Sequence, residues 1–568
     1  MRLPYGISNF AKLINDGCYF IDKTQYIEVL EYDSDSYLFY LRPRRFGKSL
    51  WISILNYYYG IEHKPNFENL FGKYYIGKHP TPKANSYYIL KLEFSRIDTT
   101  TPESTKHGFK INLLMGLKDF ELRYGISPKE YGNELEPANV LKLFLSEHKD
   151  KKIFLLIDEY DHFANEILSF RFDHFSEMVS RTGFVRKFYE TIKAATGDGI
   201  VDRLFVTGVT PITLDSMTSG FNIATNISQN KRYHSMLGFT EAEVISLIDY
   251  ITVPQQKRPL LLEDLRKWYN GYLFCVQLNE RIYNPDMVLY FLKEYRHEYQ
   301  YPDSLIDINI ASDYGKIRRL FDLKNREQNH QVLEQLIQDN QVVSQITQQF
   351  SFEKPFTQQD FVSLLFYMGL ISIREGMGSE VVLAIPNYVI QGLYLDFLVE
   401  ILQEQAQITV ESMDVYAAVR KLAFENQVRP ILGFVEAILQ GLSNRDFQKF
   451  NEKYVKVILI ALLRLSNLYY VKSEPEINRK YPDIMLLYRP PFFPNYQFVF
   501  ELKYLKKSEA ALLEKTTQSA INQLNAYLQN EELRSLKNLK AYVVIFVGTE
   551  ANVVQEIMPV PLISNSTG

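Results

Sequence analysis

Cysteine is almost missing from this chain. Only Cys18 and Cys275 occur in 568 residues. They form no CxxC pair, zinc pattern or disulfide framework, so a reducing, cytoplasmic home is expected. Long apolar runs are also missing. Val457–Leu463, bracketed by Lys456 and Arg464, is far too short to span a bilayer, and no membrane partner is expected. The opening residues MRLPYGISNF lack a basic segment followed by an apolar core, the pattern of a signal peptide. Excess charge is absent too: 63 Lys and Arg stand against 67 Asp and Glu, a net charge of -4. That excludes a globally basic nucleic-acid binder and confines any such surface to a local patch. No internal repeat and no low-complexity tract interrupts the chain.

What is present is the composition of a folded protein, with 46% hydrophobic and 23% charged residues. The length calls for about two to four domains. Tyr and Phe are abundant, at 40 and 38, and read as filled cores rather than as rows of base-stacking platforms.

The first third alternates short apolar runs with helical patterns. Tyr37–Leu41, Tyr87–Phe94, Ile153–Ile157 and Arg203–Val209 read as strands, and Leu50–Tyr59 as a helix. Such alternation predicts a parallel sheet covered on both faces. From about Gly238 the pattern turns helical (TEAEVISLIDYI, MVLYFLKEY, VLEQLIQ). The helix QQDFVSLLFYMGL then leads into strands at Ile371–Ile373 and Val381–Ile385, a winged-helix-like order. Past Met413, two helices precede a second α/β pattern: helix Asn451–Leu465, strands Leu468–Val471, Ile484–Tyr488 and Gln497–Leu502, helix Leu512–Leu528, and strand Ala541–Val547. The loop RPPFFPN, Arg489–Asn495, is no central strand because its prolines lack N–H donors. The expected domains are 1–235, 236–405 and 406–568.

Gly47-Lys48-Ser49 sits between a strand and a helix. In a phosphate-binding loop, backbone N–H groups and the helix N-terminus surround the phosphates. The lysine neutralises their oxygens and the hydroxyl holds Mg²⁺. Arg42 stands where the usual GxxxxGK[ST] pattern has its first glycine, and Arg45 of the same loop is expected beside the phosphates. The second element is Ile153–Ile157 followed at once by Asp158 and Glu159. A buried strand ending in two acids delivers them to the sheet edge where phosphates bind. Asp158 would hold the magnesium with Ser49, and Glu159 would polarise the attacking water. Thr207 or Thr210, at the end of the next strand, is a candidate γ-phosphate sensor. Arg232 follows that strand at loop distance, but no arginine finger can be assigned.

Near the C-terminus, Asp483 heads one strand, and Glu501 and Lys503 lie two residues apart on the next. Alternation points Glu501 and Lys503 to one face. A hairpin-like pairing of the two strands would bring Asp483 beside them. Two close carboxylates bind Mg²⁺, and a nearby lysine orients or deprotonates the water that attacks a phosphodiester. This is PD-(D/E)xK logic. Glu452 on the preceding helix, with Gln523 and Tyr527 one turn apart on the following one, adds to it. Carboxylates this close without a metal repel, so one pKa is expected to rise.

These stretches make the chain similar to bacterial proteins that join an AAA-ATPase-like domain to a C-terminal PD-(D/E)xK nuclease-like domain. The resemblance rests on YGISNF, FIDKT, RPRRFGKSL, LIDEYD, VTGVTPI, LGFTEAEV, WYNGYLF, YNP and IPN, in that order. Arginine in place of the first loop glycine is usual there. The C-terminal part departs from that pattern. The family's glycine-rich turn before the aspartate is INRKYP after Glu476 here, and its aromatic-His pair after the helix glutamate is absent from KYVKV after Glu452. The resemblance implies a P-loop NTPase sheet, a helical and winged-helix-like middle, and a restriction-endonuclease-like α/β domain. It also implies ATP and Mg²⁺ as cofactors, ATP hydrolysis, and a metal-dependent nuclease acting on DNA or, in second place, RNA. The alternative is an ATP-driven switch or scaffold that binds nucleic acid without cutting. Self-association into a homo-oligomer is left open.

Overall fold

The structure is a computed structural model. It describes residues 2–33, 35–95, 97–132, 134–162, 183–211, 223–307, 320–321, 325–350, 356–408, 411–446, 451–473 and 482–558. Glu476, with most of the turn before Asp483, lies outside the described residues. Two compact units emerge. One comprises Met1–Tyr299, Leu305–Leu336 and Asn340–Val389. The other comprises Gln300–Ser304, Ile337–Asp339 and Ile390–Gly568.

In the first unit, the apolar runs become strands β1 (Tyr37–Leu41), β2 (Tyr88–Glu93), β3 (Ile153–Asp158) and β4 (Val201–Gly208), with a two-residue β5 (Thr225–Asn226). All pair in parallel, in the order β2-β3-β4-β1-β5. β3 is buried along its whole length, as a parallel strand covered on both faces must be. Parallel pairing brings the carboxyl ends of β1, β3 and β4 to one edge. Leu41 lies level with Gly208, and Asp158 ends β3. Helix Lys48–Tyr59 follows β1 and buries Trp51, Ile52, Leu55 and Tyr58 in the core shared with Leu38, Leu156 and Phe205.

The helical patterns of the middle form helices Glu241–Tyr250, Pro285–Tyr295 and Arg326–Asp339. The first starts at a capping box in which the Thr240 side chain accepts from Glu243 N–H and the Glu243 side chain accepts from Thr240 N–H. Helix Gln358–Tyr367 precedes a hairpin of β7 (Ser372–Met377) and β8 (Glu380–Ala384). β6 (Val342–Ser344) completes an antiparallel sheet in the order β6-β8-β7. The helix-then-hairpin order is the one expected, with β6 added.

The second unit, from Ile390, carries most of helix Tyr388–Ala406 and helices Ser412–Glu425, Arg429–Asp446 and Glu452–Leu465 before its sheet. Strands β9 (Tyr469–Ser473), β10 (Ile484–Tyr488), β11 (Gln497–Leu505), β12 (Leu539–Val547) and β13 (Glu550–Ile557) lie in the order β13-β12-β11-β10-β9. β11 and β12 are parallel, and the other neighbours antiparallel. The two-residue period divides β11 between two cores. Phe498, Phe500 and Leu502 pack with Leu422, Leu432, Ile458 and Leu462. Val499 and Leu505 face Ala520, Leu524 and Leu528 of helix Leu513–Leu528. No helix among the described residues is long and apolar enough to cross a membrane.

Candidate active sites

The loop after β1 turns sharply at Gly47, whose φ of +88° lies in the left-handed region and whose residue caps helix Lys48–Tyr59. Glycine takes that conformation without the strain a Cβ would bring. Lys48 and Ser49 become the first two helical residues, and their backbone N–H groups have no partner one turn back. Lys48 Nζ donates to the Arg42 and Pro43 carbonyls at 3.0 and 2.9 Å, inside the loop. Burial holds its pKa below the ordinary lysine value, against the pull of Glu159, Asp161 and Asp158.

Arg42 does not line the cavity beside the loop. It is almost fully buried. Its guanidinium donates to the carbonyls of Leu41, Ser228, Tyr233 and His234 and stacks on the rings of Tyr40 and Phe274, each 4.3 Å away. The residue in the first glycine position therefore ties the start of the loop to the segment after β5. Arg45 takes a left-handed φ of +68° and pairs with Asp286 at 3.3 Å.

At the end of β3, Asp158 Oδ1 accepts from the Glu159 N–H at 3.0 Å and from Thr207 Oγ1 at 2.7 Å. Glu159 itself has a φ of +51°, a conformation that costs a non-glycine residue about 1–3 kcal/mol and recurs at active sites. Its carboxylate lies 3.5 Å from His162 Nδ1. Burial raises its pKa above the usual carboxylate value, and Asp158 and Asp161 add to that. Asp161 accepts from Val209 N–H, Thr210 N–H and Thr210 Oγ1, locking the turn after β3 to the end of β4. A Cβ on Gly208 would meet Asp161 Oδ1 and the Tyr160 ring at 2.4 Å, so the close approach requires glycine.

Gly47, Lys48, Ser49, Arg45, Glu159 and Asp161 line one cavity of about 600 Å³, together with Lys23 and Asp286. Its size and mixed lining suit a nucleotide. The expected residues Arg45, Gly47, Lys48, Ser49 and Glu159 meet there. Asp158 and Thr207 are not among its lining residues; they are buried and joined to each other. Thr210 is held by Asp161, and Arg232 is paired with Asp33 and does not line the cavity. Sequence reading passed over Asp161, Asp286 and Lys23, although LIDEYD, YNPD and FIDKT contain them.

In the second unit, Ile484 pairs with Phe500. One step further, the antiparallel register sets Asp483 across from Glu501. Asp483 Oδ2 accepts the Leu502 N–H at 2.8 Å. Lys503 Nζ lies 2.7 Å from Glu501 Oε1, 3.5 Å from Glu452 Oε1 and 3.9 Å from Asp483 Oδ2. The four residues named from sequence thus converge. Burial, then the charge of Asp483, pushes the Glu501 carboxyl up to about 7, the rise expected of crowded acids. Burial also raises Glu452. It depresses Lys503, but the hydrogen bond and charge of Glu501 outweigh that and leave Lys503 above its ordinary value. Tyr527 lies close enough that, after burial, Glu501 and Asp483 raise its hydroxyl. Gln523 is exposed. A fifth charged group escaped the sequence reading. Lys456, buried on helix Glu452–Leu465, reaches 3.7 Å from Asp483 Oδ1. Its sequence signal is a lysine at the edge of the apolar run Val457–Leu463.

The donors of this cluster fit a hard divalent cation. Asp483 and Glu501 offer oxygens, and Glu501 Oε2 is buried with no hydrogen-bond partner, a cost of about 1–3 kcal/mol that a cation would relieve. Among the described residues no three acids, histidines or cysteines form a ready-made metal cage. Lys503 holds the acids together instead.

Comparison with known proteins matches two stretches of the chain. Residues 4–218 match the family described as predicted AAA-ATPase, and residues 450–556 match the PD-(D/E)XK nuclease superfamily. A protein of Azotobacter chroococcum mcd 1, described as an uncharacterized protein in vnfD 5'region, is 28% identical over 321 residues. The match covers 54% of this chain and 56% of the relative, so the chain spans little more than half the relative's length. The crystal structure of Cdc6p from Pyrobaculum aerophilum aligns with 66% of this chain and 93% of its own, at 10% identity and a TM-score of 0.25. The chain therefore joins a region that matches the predicted AAA-ATPase family, residues 4–218, to one that matches the PD-(D/E)XK nuclease superfamily, residues 450–556.

Proposed function

We propose that the chain is an ATP-hydrolysing protein whose C-terminal site is a metal-dependent phosphodiesterase acting on DNA, with RNA as the second candidate. The observation that carries this reading is the convergence of Asp483, Glu501 and Lys503 around a buried, unpartnered carboxylate oxygen. ATP handling is assigned to 1–235 and cutting to 406–568, with 236–405 as the connecting region.

In the first site, the Gly47–Ser49 backbone and Lys48 would surround the phosphates, with Lys48 exchanging the Arg42 and Pro43 carbonyls for phosphate oxygens. Ser49 and Asp158 would hold Mg²⁺, with Thr207 fixing the Asp158 carboxylate. Glu159, near His162, would orient the attacking water. In the second site, Asp483 and Glu501 would hold a divalent cation, which supplies Lewis-acid charge neutralisation at the scissile phosphate. Lys503 would be freed from the acids to hold the attacking water, and Leu502 N–H keeps Asp483 oriented.

A second reading has its own observation. Lys503 and Lys456 already neutralise much of the acid charge, as in a domain that binds nucleic acid without cutting. Incubating the full-length protein with plasmid or RNA, with Mg²⁺ or Mn²⁺ and with or without ATP, separates the two. Metal-dependent cutting supports the nuclease. Binding without cutting under every metal supports the switch or scaffold.

A further inference from the structure

Lys456 is the one charged residue in a stretch of helix where Val455 through Leu463 are all buried. A lysine removed from water in such a run is costly unless an opposite charge compensates it. Asp483 does so, at 3.7 Å from its Oδ1, while Asp483 Oδ2 is shared between Leu502 N–H and Lys503. Asp483 is therefore bracketed by two ammonium groups. Lys503 also engages Glu501 and Glu452, whereas Lys456 forms its ion pair with Asp483 and acts on Glu452 through its charge.

Charge decides what that second lysine does. Among the described residues, with Glu452, Asp483 and Glu501 ionised, the three carboxylates and two lysines of the cluster carry a net charge of -1. A divalent cation would bring it to +1, complementary to the single negative charge of a phosphodiester. Without Lys456 the loaded cluster would be neutral.

We propose that Lys456 is the charge-setting residue of the C-terminal site: it weakens divalent-cation binding at Asp483 and Glu501 and leaves the loaded cluster positive for a phosphodiester. The inference rests on the nuclease reading above, and its sign separates it from a structural role. A lysine that merely holds Asp483 in place would, when lost, weaken cation binding. A lysine that opposes the cation would, when lost, strengthen it.

The test is Mn²⁺ titration of the full-length protein at pH 8 without nucleotide, read by calorimetry, with Asp483→Ala defining the signal that belongs to this site. Lys456→Met keeps the length and apolar stem of the side chain. It should bind Mn²⁺ about tenfold more tightly or better, and cut plasmid more slowly at saturating Mn²⁺. Lys456→Arg should stay near wild type in both. Equal or weaker Mn²⁺ binding in a folded Lys456→Met protein overturns the charge-setting role. Tighter binding with undiminished cutting overturns its phosphodiester half. If Lys456→Met binds Mn²⁺ more tightly but the wild type never cuts, cation opposition stands and the nuclease reading fails. If neither protein binds Mn²⁺ at Asp483, both fail.

Discussion

Thr207 Oγ1 donates a 2.7 Å hydrogen bond to Asp158 Oδ1 across neighbouring strands β3 and β4. Both side chains are buried, so the hydroxyl is committed to the acid rather than to open solvent. A buried bond to a charged group contributes about 1.5–3 kcal/mol. Thr207→Val should therefore slow ATP hydrolysis by roughly tenfold or more, through a misplaced Asp158, and Thr207→Ser should restore most of it. Phosphate release under saturating ATP and Mg²⁺ checks this. Unchanged turnover in the valine variant would remove Thr207 from the site.

Lys48 and Glu159 should separate binding from hydrolysis. Lys48→Ala removes a buried cation that would face the phosphates and should abolish ATP binding measured by calorimetry. Glu159→Gln keeps the side-chain shape and should bind ATP within a few-fold of wild type while hydrolysing it at least about a hundredfold more slowly. Equal ATP affinity in wild type and Lys48→Ala would end the phosphate-loop assignment.

Arg42 offers a test that runs against the motif. Arg42→Gly restores the glycine that the usual loop pattern has in this position. It also deletes the hydrogen bonds to the carbonyls of Leu41, Ser228, Tyr233 and His234. The buried carbonyls lose their donor, and the stack on Tyr40 and Phe274 is lost. We expect a loss of about 3–5 kcal/mol, read as a lowered thermal midpoint, and no gain in ATP affinity. A variant as stable as wild type would show that the pin is dispensable.

Glu501 makes the stability of the second unit depend on pH. Its folded-state value of about 7 lies above the ordinary 4.5. Between these values the folded protein binds more protons than the unfolded chain, so stability is fully present below about pH 4.5 and falls as pH rises through about 7. The ionised carboxylate is then a liability on the order of 3 kcal/mol. Glu501→Gln should melt higher than wild type at pH 8, with the gap shrinking toward pH 5. A gap that does not change between those pH values would contradict the raised value.

Much of this was legible in sequence because its signals are local. β1 and β10 match their apolar runs residue for residue, and the other expected strands differ at one end or both. Asp158 and Glu159, like Glu501 and Lys503, were found because the run or spacing that presents them is continuous. β13 was missed because EANVVQEI has acids in place of a plain apolar run, as suits an edge strand paired on one side only. Asp161 and Lys456 were missed because their partners are remote. Val209 and Thr210 arrive from the end of β4, and Asp483 from the head of β10. Arg42 shows the same limit. Its place in the loop motif is a matter of spacing, but its packing on Tyr40 and Phe274 and its bonds to residues 228–234 follow only from the fold.

The proposed cutting of nucleic acid by the cluster around Asp483 is open to direct measurement. Its most direct test compares full-length wild type, Asp483→Ala and Lys503→Ala for plasmid nicking with Mn²⁺ or Mg²⁺ at pH 8, with ATP hydrolysis measured on the same samples. Wild type should nick in a metal-dependent way, both variants should lose nicking, and ATP hydrolysis should stay within about twofold of wild type in both variants. Nicking that persists undiminished in both variants, or a wild type that never nicks with either metal, would contradict it.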